Sequence, residues 1–346
     1  MILKNLSLQN FRSYKKDSFN FSKDTTLIIG PNTAGKSNLI EAIFFLAAGC
    51  SFRIDKDDQL VRFGKDLARI KGKINEKDLE VIIAREGVSG KNRPFKKYLV
   101  NGVSKRKADF VGNFFAVLFA PSDLEIITEG PSKRRNFINN ILVQTDREYR
   151  LATGFYEKGL RIRNALLHKV RETGIRSDKE FLYWDNLLII QGQKITRKRE
   201  EFVEYLENSK KEIFDFKIFY DKSTISEERL AQYKDVEVGA GVTLVGPHRD
   251  DFIVNLDEHD LKYFGSRGQQ RLAILQLKIL ELIYIEKIAR DKPALLLDDI
   301  FSELDEEHIK LILSMIGGQQ TIMTTTHEEF IPKKLLSKTS VIELKK

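Results

Sequence analysis

The sequence predicts an α/β fold whose central sheet draws on both ends of the chain, with a helical lobe inserted between them. Three observations predict it. Residues 30–37 read Gly-Pro-Asn-Thr-Ala-Gly-Lys-Ser, between an apolar run and a helical pattern. Their chemical counterpart, Leu295-Leu296-Leu297-Asp298-Asp299, comes only near the other end. Between the two, from Pro131 to about residue 211, charged residues alternate with apolar ones at helical spacing and no further proline intervenes. A phosphate loop and its metal-binding carboxylate work only within a few ångströms of each other, so the two ends must meet in space.

The first motif has the context that its chemistry needs. Leu27-Ile28-Ile29 read as a strand and Leu39, Ile40, Ile43, Phe44, Leu46 and Ala47 as a helix face, so the order is strand, loop, helix. Gly30 and Gly35 allow the backbone, with Pro31, Asn32, Thr33 and Ala34, to turn its N–H groups toward phosphate oxygens. The helix N-terminus adds partial positive charge. Lys36 supplies a full charge to the terminal phosphates, and the Ser37 hydroxyl is a Mg²⁺ ligand. The expected ligands are therefore ATP and Mg²⁺. Residues 294–297 are a continuous apolar run, as for a parallel strand covered on both faces. Two adjacent carboxylates at its end repel each other and call for a shared cation or water. Asp298 is assigned to Mg²⁺ and Asp299 to polarising the attacking water.

The remaining elements follow in order. Residues 2–11, 19–29, 68–74 and 79–85 read as strands, and Asn101-Gly102 within 98–103 is the strongest hairpin signal of the region. Leu160, Ile162, Ala165, Leu166 and Val170 mark one amphipathic helix, and residues 181–202 another. Each such run is about 30 residues, too short and irregular in heptad terms for a long coiled coil. Strands return at 216–221 and 242–256, then a long helix from about 269 to 290. After the Asp298 strand come a helix from about Asp305, a strand at 321–325 and a last strand near 341–344. The expected division is residues 1–130 for the first part of the nucleotide-binding lobe, 131–212 for the inserted helical lobe, and 213–346 for the returning part.

The chain has 346 residues, 42% of them hydrophobic, and a formal net charge of +8. That is ample for a core and favours anionic partners. No run approaches 18 uncharged apolar residues, so no membrane span is expected. The start, Met-Ile-Leu-Lys-Asn, lacks a signal-peptide layout. A single cysteine, Cys50, read as a small buried residue, suits a reducing cytoplasmic location. Lys91, Arg93, Lys96, Lys97, Lys105, Arg106 and Lys107 surround the hairpin, and Lys133, Arg134 and Arg135 open the helical lobe. Such runs attract phosphate backbones without reading sequence, and these residues are the candidate DNA contacts.

Gly265-Ser266-Arg267-Gly268-Gln269-Gln270-Arg271 stands directly before the long helix, where a Ser and a Gly at a helix N-terminus form a second phosphate cap. The segment resembles the signature motif of ABC-type ATPases. Ile300-Phe301-Ser302-Glu303-Leu304-Asp305 is similar to their D-loop, and Thr321-Ile322-Met323-Thr324-Thr325-Thr326-His327 to their switch strand and histidine. Within that group the chain resembles the RecF family of bacterial recombination mediators, related to SMC and Rad50. Asn10-Phe11-Arg12-Ser13-Tyr14, Gly49-Cys50-Ser51-Phe52-Arg53, Phe119-Ala120-Pro121-Ser122-Asp123-Leu124 and Gly246-Pro247-His248-Arg249-Asp250-Asp251 carry the likeness over essentially the full length.

The resemblance implies an ABC-ATPase head with an inserted helical lobe. It implies that Ser266, Gly268 and Gln269 of a second subunit cap the γ-phosphate, so that ATP joins two copies head to tail. His327 would sense that phosphate, and Ser302 and Asp305 would cross the dimer interface. Implied partners are double-stranded and gapped DNA, a second copy of the chain, and RecR with RecO. The implied role is loading of recombinase in repair and replication restart, with slow, DNA-stimulated hydrolysis resetting the switch. A nucleotide-binding subunit of a transporter or nuclease is the alternative. Two departures stand out. Relatives usually place Gly where Thr33 stands, and ABC transporters usually carry Glu where Asp299 stands. His248 is open between packing and a nucleotide or interface contact.

Overall fold

In the computed structural model, residues 1–54, 56–88, 93–300, 307, 309, 311, 312, 318–326 and 339–345 are described. The chain forms two compact units: Met1–Asp123 with Lys278–Lys346, and Leu124–Leu277.

The first unit contains two sheets. Strands β1 (Leu3–Phe11), β2 (Tyr14–Asn20), β4 (Leu67–Ile74), β5 (Lys77–Ala84), β6 (Phe95–Val100) and β7 (Val103–Lys105) form an antiparallel sheet in the order β2-β1-β4-β5-β6-β7. Alternation along β4, with Ala68, Ile70, Gly72 and Ile74 buried and Arg69, Lys71 and Lys73 exposed, leaves one face dry and one wet. The β6–β7 turn has Asn101 and Gly102 both at positive φ, as a two-residue hairpin of this twist requires.

Strands β3 (Thr25–Ile29), β8 (Ala116–Phe119), β12 (Ala294–Leu297), β13 (Thr321–Thr325) and β14 (Thr339–Glu343) form a parallel sheet, in the order β14-β3-β13-β12-β8. The two chain ends thus interleave in one sheet. A buried side-chain amide adds to the join: Gln320 accepts from the Leu3 amide at 2.8 Å and donates to the Leu3 carbonyl at 2.8 Å. Helix α1 (Lys36–Ala48) follows β3 and is buried over nearly its whole length, while the short α2 (Lys107–Phe110) precedes β8.

The second unit holds α3 (Glu125–Thr128), α4 (Pro131–Thr145), α5 (Arg147–Thr173), α6 (Asp178–Asn208), β9 (Lys217–Asp221), α7 (Glu227–Gln232) and α8 (Lys234–Ala240). Then come β10 (Asp251–Leu256), β11 (His259–Asp260), α9 (Leu261–Phe264) and the first part of α10 (Arg267–Ala289). Helix α5 buries Tyr149, Ala152, Tyr156, Gly159, Arg163, Leu167 and Val170, a stripe at three- and four-residue steps. Its neighbour α6 approaches closely at Gly192, where a Cβ would stand 2.7 Å from Ile225 and 3.1 Å from Tyr156.

Three expectations need correction. Residues 19–29 are not one strand: the polar 22–24 turn separates β2 from β3, and the two join different sheets. Residues 242–256 are a strand only from Asp251, because Gly246 at φ 123 and Pro247 begin a 3₁₀ turn instead. Cys50 is half-buried rather than buried, since α1 ends just before it at the left-handed Gly49.

Candidate functional site

Strand β3 delivers the chain to the phosphate loop at the carboxyl edge of the parallel sheet, and α1 carries it away. Gly35 caps the helix at φ 98, with its carbonyl accepting from the Tyr14 hydroxyl at 3.0 Å. Burial pushes the Tyr14 phenol up, so it stays a neutral donor. Thr33 is also left-handed, at φ 76, an uncommon and costly state for a β-branched residue. Gly30 packs against the last strand segment: a Cβ there would lie 2.8 Å from the Leu344 carbonyl.

Lys36 is buried and folds back over the loop, donating to the Gly30 carbonyl at 2.7 Å and the Pro31 carbonyl at 3.2 Å. Burial pulls its ammonium down, against the pull of Asp299 and Asp298. Pro31, Asn32 and Thr33 are exposed along the rim.

The carboxylate half comes from β12, one strand removed from β3, with β13 between them. Asp298 Oδ1 accepts from the Ser37 hydroxyl at 3.0 Å and from the Thr324 hydroxyl at 2.9 Å. Burial pushes the Asp298 carboxyl up, while the Thr324 and Ser37 hydrogen bonds and nearby Arg53 oppose that shift. Asp299 is left-handed at φ 50, and its amide donates to Thr324 Oγ1 at 2.9 Å. Thr324 therefore ties both carboxylate positions to the middle strand. Ser37 and Asp298 are hard oxygen donors converging on one point, a pair that suits Mg²⁺ with water completing its shell. Among the described residues no cluster of three or more His, Cys, Asp or Glu side chains forms a metal cage.

A second layer of residues around α1 had no chemical role in the sequence reading. Arg12 grips Glu41 with two hydrogen bonds of 2.8 Å, and Ser51 donates to the same carboxylate at 2.5 Å. Asn38, one residue after Ser37, donates to Ser13 and accepts from Arg53. These side chains come from the segments 10–14 and 49–53. Both segments lie just past the end of an element, in the β1–β2 turn and the loop after α1, where polar residues give no periodic signal.

The second cap is built at the start of α10. The Gln269 amide donates to Ser266 Oγ at 3.2 Å, and the Ser266 amide donates to Gln269 Oε1 at 2.8 Å, a reciprocal capping box. Used as an acceptor, the Ser266 hydroxyl keeps its proton for an incoming anion. Ser266, Arg267 and Gly268 are exposed, and a Cβ on Gly268 would meet only Ser266 Oγ, at 3.9 Å. Ser302, Asp305 and His327 lie outside the described residues.

The cations divide by environment. Arg93, Lys97, Lys105, Arg106 and Lys107 are exposed, whereas Lys96 is half-buried, pairs with Asp57 and lies over the Phe45 ring. Lys91 lies outside the described residues. Lys133 is exposed and pairs with Glu125. Arg134, by contrast, is buried, with bonds of 2.7 and 2.8 Å to Asp251, and Arg135 donates to the Asp250 carbonyl at 2.8 Å. Asp250 in turn takes Arg199 at 2.9 Å, the Tyr220 hydroxyl and the Ser223 amide. The paired arginines and the 246–251 segment are thus two halves of one buried network. His248 belongs to its packing: Tyr156 and the Thr243 carbonyl engage both ring nitrogens, and burial pulls it down to about 4.

Residues 2–343 match the family model for the RecF/RecN/SMC N terminal domain. The chain is 35% identical to the DNA replication and repair protein RecF of Moorella thermoacetica, over 99% of this chain and 94% of that one. It is 36% identical to the protein of the same name from Caldanaerobacter subterraneus, over 94% of each. A solved structure of the recombination mediator protein RecF-ATP in the RecFOR pathway superposes with a TM-score of 0.84 at 34% identity, covering 95% of this chain and 93% of that one.

Proposed function

The chain belongs to the RecF family, and on that premise we propose that it is an ATP-switched DNA-binding protein of DNA replication and recombinational repair. The observation that carries this reading is the meeting of Ser37 and Asp298 at the phosphate loop, in a chain whose relatives are named DNA replication and repair proteins. Those names favour it over a transporter or nuclease-associated subunit.

ATP lies along residues 30–37, with backbone N–H groups on its phosphates and Lys36 exchanging its two carbonyl partners for phosphate oxygens. Ser37 and Asp298 would hold Mg²⁺, which would supply neutralising positive charge for phosphoryl transfer. Asp299 orients a water whose oxygen bonds to the γ-phosphorus, as the bridging oxygen departs with ADP. The family resemblance assigns His327 to sensing that phosphate. The cap of Ser266, Gly268 and Gln269 covers the γ-phosphate of a nucleotide held by a second copy, and the family resemblance assigns Ser302 and Asp305 to the interface. ATP then joins two copies over duplex or gapped DNA, and slow, DNA-stimulated hydrolysis separates them. RecR with RecO are the partners in recombinase loading. No helix among the described residues is long and apolar enough to cross a membrane, and the reading places the protein in the cytoplasm.

Sedimentation with and without ATP and duplex DNA tests this. The expected result is an ATP-dependent dimer that retains DNA, and a Ser266→Arg variant that binds ATP yet stays monomeric. A parent chain whose mass and DNA retention ignore ATP would contradict the switch, and an ATP-induced dimer in the variant would contradict the cap in trans.

A further inference from the structure

Strand register determines which side chains share the wet face of the antiparallel sheet. Directly opposed residues lie on the same side. Gln9 pairs with Lys16 on one flank and Arg69 on the other, Arg69 with Ile82, and Ile82 with Lys97. Two residues along, Ser7 pairs with Ser18 and Lys71, and Lys71 with Glu80. Two further, Asn5 pairs with Asn20 and Lys73, and Lys73 with Asp78. The opposite face carries Leu6, Leu8, Ile70, Leu79, Val81 and Ile83, none more than 2% exposed.

The wet face therefore collects Lys16, Arg69, Lys71, Lys73 and Lys97, all exposed, against Asp78 and Glu80. Arg69 reaches Glu80 at 3.0 Å and Lys71 reaches Asp78 at 3.4 Å. With these cations about half exposed, such pairs hold weakly and exchange readily for other anions. Along β4 the three cations recur about every 6.8 Å, and Lys16 stands about 19 Å from Lys97 across four strand spacings. Adjacent positions in β6 part company here. Lys97 joins this face, whereas Lys96 points to the other with Asp57 and Phe45.

We propose that this sheet face is a track for the phosphate backbone of duplex DNA, with Arg69, Lys71 and Lys73 as its central row and Lys16 and Lys97 as its flanks. The assignment rests on the DNA-binding reading above and specifies its surface. Three central cations on successive same-face positions of one strand form a linear array of charge. Backbone contacts of this kind position a duplex without reading its sequence.

The test is a salt titration of duplex binding in the presence of ATP. Each phosphate contact removed flattens the slope of log K against log salt by about 0.9. Lys16→Gln, Lys73→Gln and Lys97→Gln together should flatten it by about 2.7. A comparison variant, Lys158→Gln with Arg161→Gln and Lys169→Gln on the exposed side of α5, loses the same charge and should keep the parent slope. ATP binding and the urea midpoint verify that both variants fold. An unchanged slope in the sheet variant, or equal flattening in the α5 variant, overturns the track. A parent chain that fails to retain duplex at any salt overturns the DNA-binding reading itself, which is a different result.

Discussion

The two left-handed residues of the phosphate loop predict opposite outcomes when exchanged. At Gly35 (φ 98), a Cβ would lie 2.9 Å from Ser13 Oγ and 3.0 Å from the Tyr14 hydroxyl. Gly35→Ala therefore carries about 1–2 kcal/mol for left-handed backbone. Displacing Tyr14 from the Gly35 carbonyl forfeits a further ~1 kcal/mol. The sum, about 2–3 kcal/mol against the loop conformation, corresponds to ATP affinity weakened by about 30- to 150-fold. Thr33 holds the same backbone region with a β-branched side chain (φ 76). Thr33→Gly relieves the left-handed strain of a β-branched residue, about 1–2 kcal/mol, so affinity should hold or tighten severalfold. The added unfolded-chain entropy of about 0.5–1 kcal/mol bears on urea stability alone. The assay is an equilibrium titration with a fluorescent ATP analogue and Mg²⁺, with cooperative urea unfolding checked in parallel. A Gly35→Ala chain within threefold of the parent, or a Thr33→Gly chain weakened tenfold, would refute the claim that this loop shape is the binding shape.

Lys36→Ala should abolish nucleotide binding with the fold intact, and undiminished binding would remove its assigned role. Asp299→Asn should bind ATP but accumulate as the nucleotide-bound dimer in size-exclusion chromatography, and parent-like turnover would contradict the water-orienting role. Arg134→Ala strips Asp251 of a two-bond partner in a buried setting and should cost about 3–5 kcal/mol in urea unfolding. A loss under 1 kcal/mol would instead leave Arg134 available as a DNA contact. Burial pushes the Glu281 carboxyl up to about 7, although Lys278 lies 3.0 Å away. Because the folded state holds this proton more tightly than the unfolded one, stability present below about pH 4.5 is lost as pH rises through about 7. Glu281→Gln should erase that slope, worth at most about 3 kcal/mol, and parallel stability curves for parent and variant would dismiss it.

Much of the fold was legible because its signals are local. The apolar runs before Gly30 and before Asp298 are parallel strands covered on both faces, and Asn101-Gly102 turns a hairpin because both residues tolerate positive φ. Helical spacing around 160–170 announced α5 but not its buried side. Of Leu160, Ile162, Ala165, Leu166 and Val170 only Val170 is buried, and the buried stripe runs instead through Tyr156, Gly159, Arg163 and Leu167, where polar and small residues hid it. What escaped depends on partners far along the chain. Nothing near Arg134 and Arg135 announces Asp250 and Asp251, so two cations in a basic run read as surface charge. Residues 242–250 read as strand because apolar content alone does not reveal a turn set by Gly246 and Pro247.

The sequence by itself determined that a phosphate loop and a carboxylate pair exist and that opposite ends of the chain must supply them, because short motifs carry their own backbone and charge requirements. Only the tertiary structure decided how they meet. Strand order puts β13 between β3 and β12, and so gives Thr324 the task of joining Asp298 to Asp299 beside Ser37. Strand register likewise decided that Lys97 shares a face with Arg69 while Lys96 does not. A spacing of two residues is readable along one strand, but which strand lies alongside, and in what register, is fixed by the packing of the whole sheet.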